Sequence, residues 1–247
     1  MVERFHNQVA LVTGAGSGIG LATAKRLQAE GCTVVAGYYL DEELPAVADF
    51  DAIRLDARSE ADWDAAMAHV ADRHGGLDVL INNAGVTITG TAEETTWEIW
   101  NDVISLNLTG VFLGCKKSIP LMKRRGGGAI VNTASINGIR GNHRMVAYAA
   151  SKGGVVAMTM SLALDHIGDN IRVNCVCPAT IDTAMVSNML AEAPDLEAAT
   201  TAIIAKHPIG RMARAEEVAS AIVFLASSDA SYMSGLALPV DGARSIR

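Results

Sequence analysis

Two side chains in this sequence are spaced for proton chemistry. Tyr148 and Lys152 bound the run Tyr148-Ala149-Ala150-Ser151-Lys152, and that separation puts both on one face of a helix, a single turn apart. A phenol ordinarily ionises near pH ~10, too high for a base at neutral pH. A neighbouring ammonium favours the phenolate and lowers that pKa, each unit corresponding to ~1.4 kcal/mol. The phenol then gives a proton to a carbonyl oxygen, or takes one from an alcohol, near the working pH. Helices carry such a pair by chance, so its weight comes from what precedes it in the chain.

The elements that must position the pair alternate between short apolar runs and helical stretches. Strands are predicted over Gln8 to Thr13, Thr33 to Tyr38, Ala52 to Leu55, Asp78 to Ile81, Ala129 to Thr133, Ile171 to Cys177 and about Ala237 to Val240. Helices are predicted from the first glycine turn to about Glu30, over Ala61 to His74, about Thr96 to Arg124, from the Tyr148 segment to about His166, and about Ala215 to Ala226. Strands alternating with helices imply right-handed βαβ units and a parallel sheet covered on both faces. The expectation is one doubly wound α/β domain over residues 1–247, with no linker or repeat.

The first βα turn reads Gly14-Ala15-Gly16-Ser17-Gly18-Ile19-Gly20. Glycines there let the backbone approach a pyrophosphate closely, and the helix N-terminus offers its N–H groups to the anion. The spacing, Gly-x-x-x-Gly-x-Gly, differs from Gly-x-Gly-x-x-Gly, and the difference is informative.

With that turn in place the sequence resembles the short-chain dehydrogenases/reductases. Thr13 to Gly20 matches the family's cofactor motif and Asn82-Asn83-Ala84-Gly85 its structural motif after the fourth strand. Ser135 precedes Tyr148 at the family's spacing, and Asn107 sits in the expected Ser-Leu-Asn setting of the long helix. The resemblance runs from about residue 6 to Gly242. It implies a Rossmann-type, seven-stranded sheet of order 3-2-1-4-5-6-7, a nicotinamide cofactor, and a catalytic tetrad of Asn107, Ser135, Tyr148 and Lys152. In that scheme Tyr148 is the acid/base and Lys152 lowers its pKa while bonding the nicotinamide ribose. Ser135 steadies the substrate oxygen where negative charge develops, and Asn107 holds a water that relays the lysine's proton. Cofactor contacts carried over are Gly14, Ser17, Gly18, Ile19 and Gly20 at the pyrophosphate, Asp56 and Ala57 at the adenine, and Asn83, Ala84 and Gly85 under the adenosine ribose. Tyr148 and Lys152 also touch the cofactor, and Pro178, Ile181 and Thr183 line the nicotinamide.

The sequence departs from the pattern in two places. Ala179 stands where the family has glycine after Pro178, which is tolerable if its φ is negative. Tyr38 stands where NAD-preferring members end the second strand with Asp, and neither Ser17 nor the Tyr38-Tyr39-Leu40-Asp41 run supplies the basic partner that a 2′-phosphate needs. The expectation is NAD, with Tyr38 bonding a ribose hydroxyl and with Arg54 as the residue that would bring NADP back. For substrate, Asn137 and Met145 map near the carbonyl, and Met185 and Met189 give an apolar, adaptable cover in a lid over about 184–210. His143 and Arg144, in the loop before Tyr148, are candidates to meet an acidic substrate group, with solvated loop residues the favoured reading. The implied reaction is hydride transfer between the cofactor and a secondary alcohol or ketone. An NADPH-dependent 3-oxoacyl thioester reductase and a non-catalytic dinucleotide sensor remain as alternatives.

Composition bounds the partners. A formal charge of −7 over 247 residues argues against nucleic acid and anionic membranes. No apolar run approaches the ~20 residues of a membrane span, and the N-terminal residues lack a signal peptide's apolar core, so a cytoplasmic protein is expected. Cys32, Cys115, Cys175 and Cys177 include no C-x-x-C pair and read as buried thiols, with no metal site expected. Between Ala149 and Leu164 the helix is apolar or small nearly all round. Its outer face therefore predicts a two-fold interface with the long helix, in a homotetramer.

Overall fold

In the computed structural model, residues 3–191 and 195–247 are described, with the side chains of Ala184, Met185, Asn188 and Met189 outside that description. Strand β1 (Val9–Thr13) is buried at every position, as an interior parallel strand covered on both faces must be. It pairs in parallel with β2 (Thr33–Tyr38) on one side and β4 (Val79–Asn82) on the other. Outward from these lie β3 (Asp51–Arg54), β5 (Gly128–Thr133), β6 (Ile171–Pro178) and β9 (Ala237–Val240). The main sheet has seven strands in the order β3-β2-β1-β4-β5-β6-β9. Two short strands, β7 (Ile181–Asp182) and β8 (Ala213–Arg214), pair only with each other. The expected order therefore holds, its seventh strand being the ninth in the chain.

Each face of the sheet has its own core. On one side α2 (Glu60–His74), α4 (Gly110–Arg125) and α5 (Val146–His166) pack around Trp63, Met122, Leu80 and Ile130. On the other, α1 (Gly18–Ala29) and α8 (Ala215–Ala226) pack around Leu27, Val12, Ile81 and Ile222. All four cysteines are buried and unbridged. Helix α2 starts at Ser59, whose hydroxyl accepts the Asp62 N–H, and ends at Gly75 with φ +76°, the left-handed conformation that suits glycine. At the sheet edge, the Nε2 atoms of His69 and His74 lie 2.8 and 2.7 Å from one oxygen of Asp51 and tie α2 to β3.

Three features differ from the sequence expectation. The long helix is not uniform: α3 (Trp97–Ile104) passes into a π-helical turn at Ser105–Thr109 before α4 begins. A 3₁₀ turn over Asp41–Val47 follows β2. The expected lid contains two helices, α6 (Ala184–Ala191) and α7 (Leu196–Ile204).

Candidate active site

The carboxyl ends of β1, β4, β5 and β6 open onto one cavity of about 480 Å³, at the place where the strand order reverses direction from β1. One of its walls is the glycine turn. Gly14 and Gly18 have φ of +62° and +52°, and a β-carbon on Gly20 would lie 2.0 Å from the Gly14 carbonyl oxygen. Ser17 takes the N-cap place of α1 without capping it by its side chain, so the first helical N–H groups face the cavity end. The Thr13 hydroxyl accepts the Asn83 and Ala84 N–H groups, both at 3.0 Å, and Asn83 Nδ2 donates to the carbonyls of Thr13 and Gly14. That clamp fixes the Asn83-Ala84-Gly85 segment beside the glycines.

The groups expected to react come from the segment just after β5, from α5 and from the π turn. Tyr148 and Lys152 lie one turn apart on α5, the lysine nitrogen 5.9 Å from the centre of the tyrosine ring. Lys152 is buried and donates to the Thr133 carbonyl at 2.7 Å. Burial pushes its pKa down to about 8. Burial also raises the Tyr148 phenol above its usual value, opposed by hydrogen bonds with Ser135 and Thr87. The expected lowering of the phenol by the ammonium is therefore not the dominant effect, because the pocket walls act on both groups. Ser135, at the end of β5, donates to the Pro178 carbonyl at 3.5 Å and accepts the Asn137 N–H.

Asn107 is fully buried and does not line the cavity. Its Oδ1 accepts the Val86 N–H at 2.8 Å, and its Nδ2 donates to the Val86 carbonyl at 2.9 Å and to Ser151 Oγ at 3.2 Å. The amide braces the backbone after Gly85, which is where the π turn delivers it.

Among the sequence-derived cofactor residues, Gly14, Ser17, Gly18, Ile19, Asp56, Ala57, Asn83, Ala84, Gly85, Pro178, Ile181 and Thr183 line the cavity with Tyr148 and Lys152. Gly20 serves the turn rather than the lining. Ala179 is absent from the left-handed residues, so its β-carbon is accommodated. Asn137 and Met145 line the substrate end, whereas the Met185 and Met189 side chains lie outside the described residues. Arg144 is turned outward to Glu94 at 2.8 Å.

Two corrections concern the adenosine end. Tyr38 packs into the α1 core and Tyr39 lines the cavity instead, because successive strand residues point to opposite faces. Arg54 does not line the cavity either, its Nε donating to the Tyr39 carbonyl at 3.3 Å. The cation that does is Arg58, forked onto Asp56 at 2.9 and 2.8 Å and donating to Tyr39 Oη at 3.0 Å. Glu43, from the 3₁₀ turn, also lines this end. Its carboxylate accepts the N–H groups of Tyr39 and Leu40 at 2.9 and 3.1 Å, and a β-carbon on Gly16 would come within 2.6 Å of the carboxylate carbon. Neither residue showed in the sequence pattern. The residues present fit a nicotinamide dinucleotide: the glycine cradle admits a backbone-hugging pyrophosphate, and the cavity continues to the Tyr148–Lys152 pair.

Comparisons with known proteins agree. The profile of the enoyl-(acyl carrier protein) reductase family matches residues 14–243. The chain is 39% identical over 246 residues to a meso-2,3-butanediol dehydrogenase of Serratia marcescens, covering 97% of this chain and 95% of that one. It is 37% identical over 247 residues to a 3-oxoacyl-[acyl-carrier-protein] reductase of Thermotoga maritima, covering 97% and 98%. The ligand-free aldohexose dehydrogenase of Thermoplasma acidophilum superposes with a TM-score of 0.93 at 36% identity, covering 100% of this chain and 97% of that one. With the parallel sheet, the glycine turn and relatives matched over nearly their whole length, the chain belongs to the short-chain dehydrogenases/reductases, as an oxidoreductase that uses a nicotinamide cofactor on an alcohol or ketone.

Proposed function

We propose that the protein oxidises a secondary alcohol, or reduces the corresponding ketone, with NAD(H) preferred over NADP(H). The observation that carries this reading is the Tyr148 phenol, hydrogen-bonded to Ser135 at the cavity wall with Lys152 one turn behind it. In the oxidation, Tyr148 Oη takes the hydroxyl proton while Ser135 Oγ holds the same oxygen. In the reduction, both donate to the carbonyl oxygen as charge builds there. Lys152, with its nitrogen 5.9 Å from the centre of the Tyr148 ring, is the group behind the phenol that takes up or returns the proton Tyr148 moves. Asn107 positions Val86 and Gly85 against the lysine: a β-carbon on Gly85 would stand 3.4 Å from Lys152 Nζ. A bound nicotinamide supplies or accepts the hydride.

The NAD preference rests on charge at the adenosine end. A 2′-phosphate adds about two negative charges and needs a cation with open donors. Arg58 has its fork filled by Asp56, and Glu43 adds a carboxylate over Gly16, at the end of β2 where an acidic residue suits ribose hydroxyls and repels phosphate. We further propose that the outer faces of α4 and α5 assemble the protein as a homotetramer, and that 184–210 forms the lid.

The test is kcat/KM for NAD and NADP with a panel of secondary alcohols, and for the reduced cofactors with ketones including a 3-oxoacyl thioester. The expected outcome is turnover of alcohols with NAD favoured by at least about tenfold, narrowed in Glu43→Gln. Preference for NADPH with the thioester would replace this reading by that of a 3-oxoacyl reductase. Cofactor binding without turnover on any member of the panel would point to a sensor.

A further inference from the structure

The substrate end of the cavity holds a cation with little to bind in the protein. After β9 the chain turns through Gly242 and Ala243, both left-handed at φ +58° and +68°. The turn is held by the Asp241 carboxylate, which accepts the N–H groups of Ala243 and Ser245 at 3.0 and 2.7 Å. A left-handed alanine is strained, and the turn that carries this strain directs Arg244 inward. Arg244 lines the cavity yet is only 8% exposed.

Its guanidinium makes one good bond, from Nη1 to Thr180 Oγ1 at 2.9 Å, and a longer one of 3.4 Å to His207 Nε2. That imidazole is neutral there: its Nδ1 faces the Ile203 carbonyl at 2.9 Å and so carries the proton. Among the described residues no acid lies within ion-pair distance of Arg244. Asp241, the one acid whose field reaches it, spends its oxygens on backbone N–H groups. Arg140 approaches from behind and donates to the Arg244 carbonyl, adding positive charge. Lys206, at the end of α7, lines the same cavity.

Arg172 shows what a purely structural arginine looks like in this chain. Its two terminal nitrogens donate to the carbonyls of Leu225, Ala230, Met233, Ala226 and Ser227, so the guanidinium is wrapped by the protein. Arg244 has no such shell, and a buried charge without a partner is costly. Its place is informative too. Thr180, which takes its bond, lies two residues beyond Pro178, whose carbonyl takes the Ser135 hydroxyl, on the β6 side of the cavity rather than with Tyr39, Glu43 and Arg58 beside β2 and β3.

We propose that Arg244, with Thr180 and with Lys206 at the rim, receives an oxyanion of the substrate. The substrate class is then a secondary alcohol or ketone that carries a carboxylate or sulfonate, a geometry the guanidinium fork matches bidentately. The inference rests on the dehydrogenase reading above, and two readouts separate them.

The first readout is binding, by calorimetry on the enzyme saturated with NADH. The probes are matched: cyclohexanecarboxylate and cyclohexanesulfonate against cyclohexanol, and 3-hydroxybutyrate against 2-butanol. At least one anion of these sets should bind about tenfold or more tighter than its neutral partner, the carboxylate and sulfonate arms deciding which oxyanion fits. The advantage should vanish in Arg244→Gln, return in part in Arg244→Lys, and weaken with salt. Melting temperatures with NADH check that each variant is folded. The second readout is turnover of 4-hydroxycyclohexanecarboxylate against cyclohexanol, where kcat/KM should favour the acid. Equal affinity for anion and alcohol throughout, or an anion advantage that survives Arg244→Gln, overturns the proposal even where neutral alcohols turn over. Arg244-dependent anion binding with no hydride transfer supports the site and sinks the dehydrogenase reading instead.

Discussion

Burial, more than the neighbouring charge, sets protonation at the Tyr148–Lys152 pair. Lys152 is held near pKa about 8 against an ordinary value of 10.5. A lysine whose folded pKa is depressed costs stability while charged, and the cost is relieved as pH rises from about 8 towards its unfolded value. For catalysis the same shift lets Lys152 lose its proton in mildly alkaline solution, and the neutral amine is then free to take the proton that Tyr148 removes from the alcohol. Alcohol oxidation is therefore expected to rise in kcat/KM through about pH 8 and ketone reduction to fall over the same interval. Profiles flat from about pH 7 to 9 in both directions would remove the pair from the proton path. Tyr148→Phe is expected to lower turnover by at least about 10²-fold while NADH fluorescence titration still shows binding. The Tyr148–Lys152 spacing and the glycine turn were legible as local patterns, whereas Ser135 and Asn107 came from the family resemblance. Tyr38 was misread by a single residue, and in a strand that error exchanges the core face for the cavity face. Glu43, Arg58 and Arg244 belong to no periodic pattern, and only tertiary folding brings them to the cavity.

At the scale of elements, apolar runs placed the seven strands of the main sheet and the helices that cover it, since buried parallel strands read as continuous hydrophobic stretches, whereas the short β7, β8, α6 and α7 carry no such run. The π turn at Ser105–Thr109 was invisible in the sequence because the wider turn leaves the flanking apolar pattern helical. Its use is to set the Asn107 amide on both backbone groups of Val86. Asn107→Ala should therefore lower kcat more than it weakens cofactor binding, which stopped-flow turnover and fluorescence titration separate. Comparable losses in both would show that the brace serves the whole cavity. The glycine turn is less forgiving. Gly20→Ala puts a β-carbon 2.0 Å from the Gly14 carbonyl oxygen, and backbone must move to admit it. The expected result is loss of cofactor binding together with a fall in Tm of at least about 5 °C, read by calorimetry. An unchanged Tm would mean that the first βα turn relaxes at little cost.

The whole molecule leaves an apolar surface that one chain does not use. Leu164 on α5 is 80% exposed, and Met160 on the same helix and Phe112 on α4 are also exposed. Exposed hydrophobic side chains on two helices that cover the same face of the sheet are what a self-complementary interface needs. Sedimentation at micromolar concentration should give a tetramer, and Leu164→Glu should shift it to smaller species without unfolding the monomer. A monomeric wild type would refute this assembly. Among the described residues no helix is long and apolar enough to cross a membrane.

On the proposed NAD preference, the fork between Asp56 and Arg58 bears on how readily the choice of cofactor could change. The guanidinium is already aimed along the adenosine end, and one carboxylate keeps it occupied. Losing that charge, as in Asp56→Asn, would hand a preformed phosphate receptor to the ribose. The exchange of aspartate for asparagine requires only a single-base change in either codon, so tolerance of NADP lies within easy mutational reach. Restoring the carboxylate closes it again, and cofactor choice in such a chain is poised to drift in both directions without rebuilding the cavity.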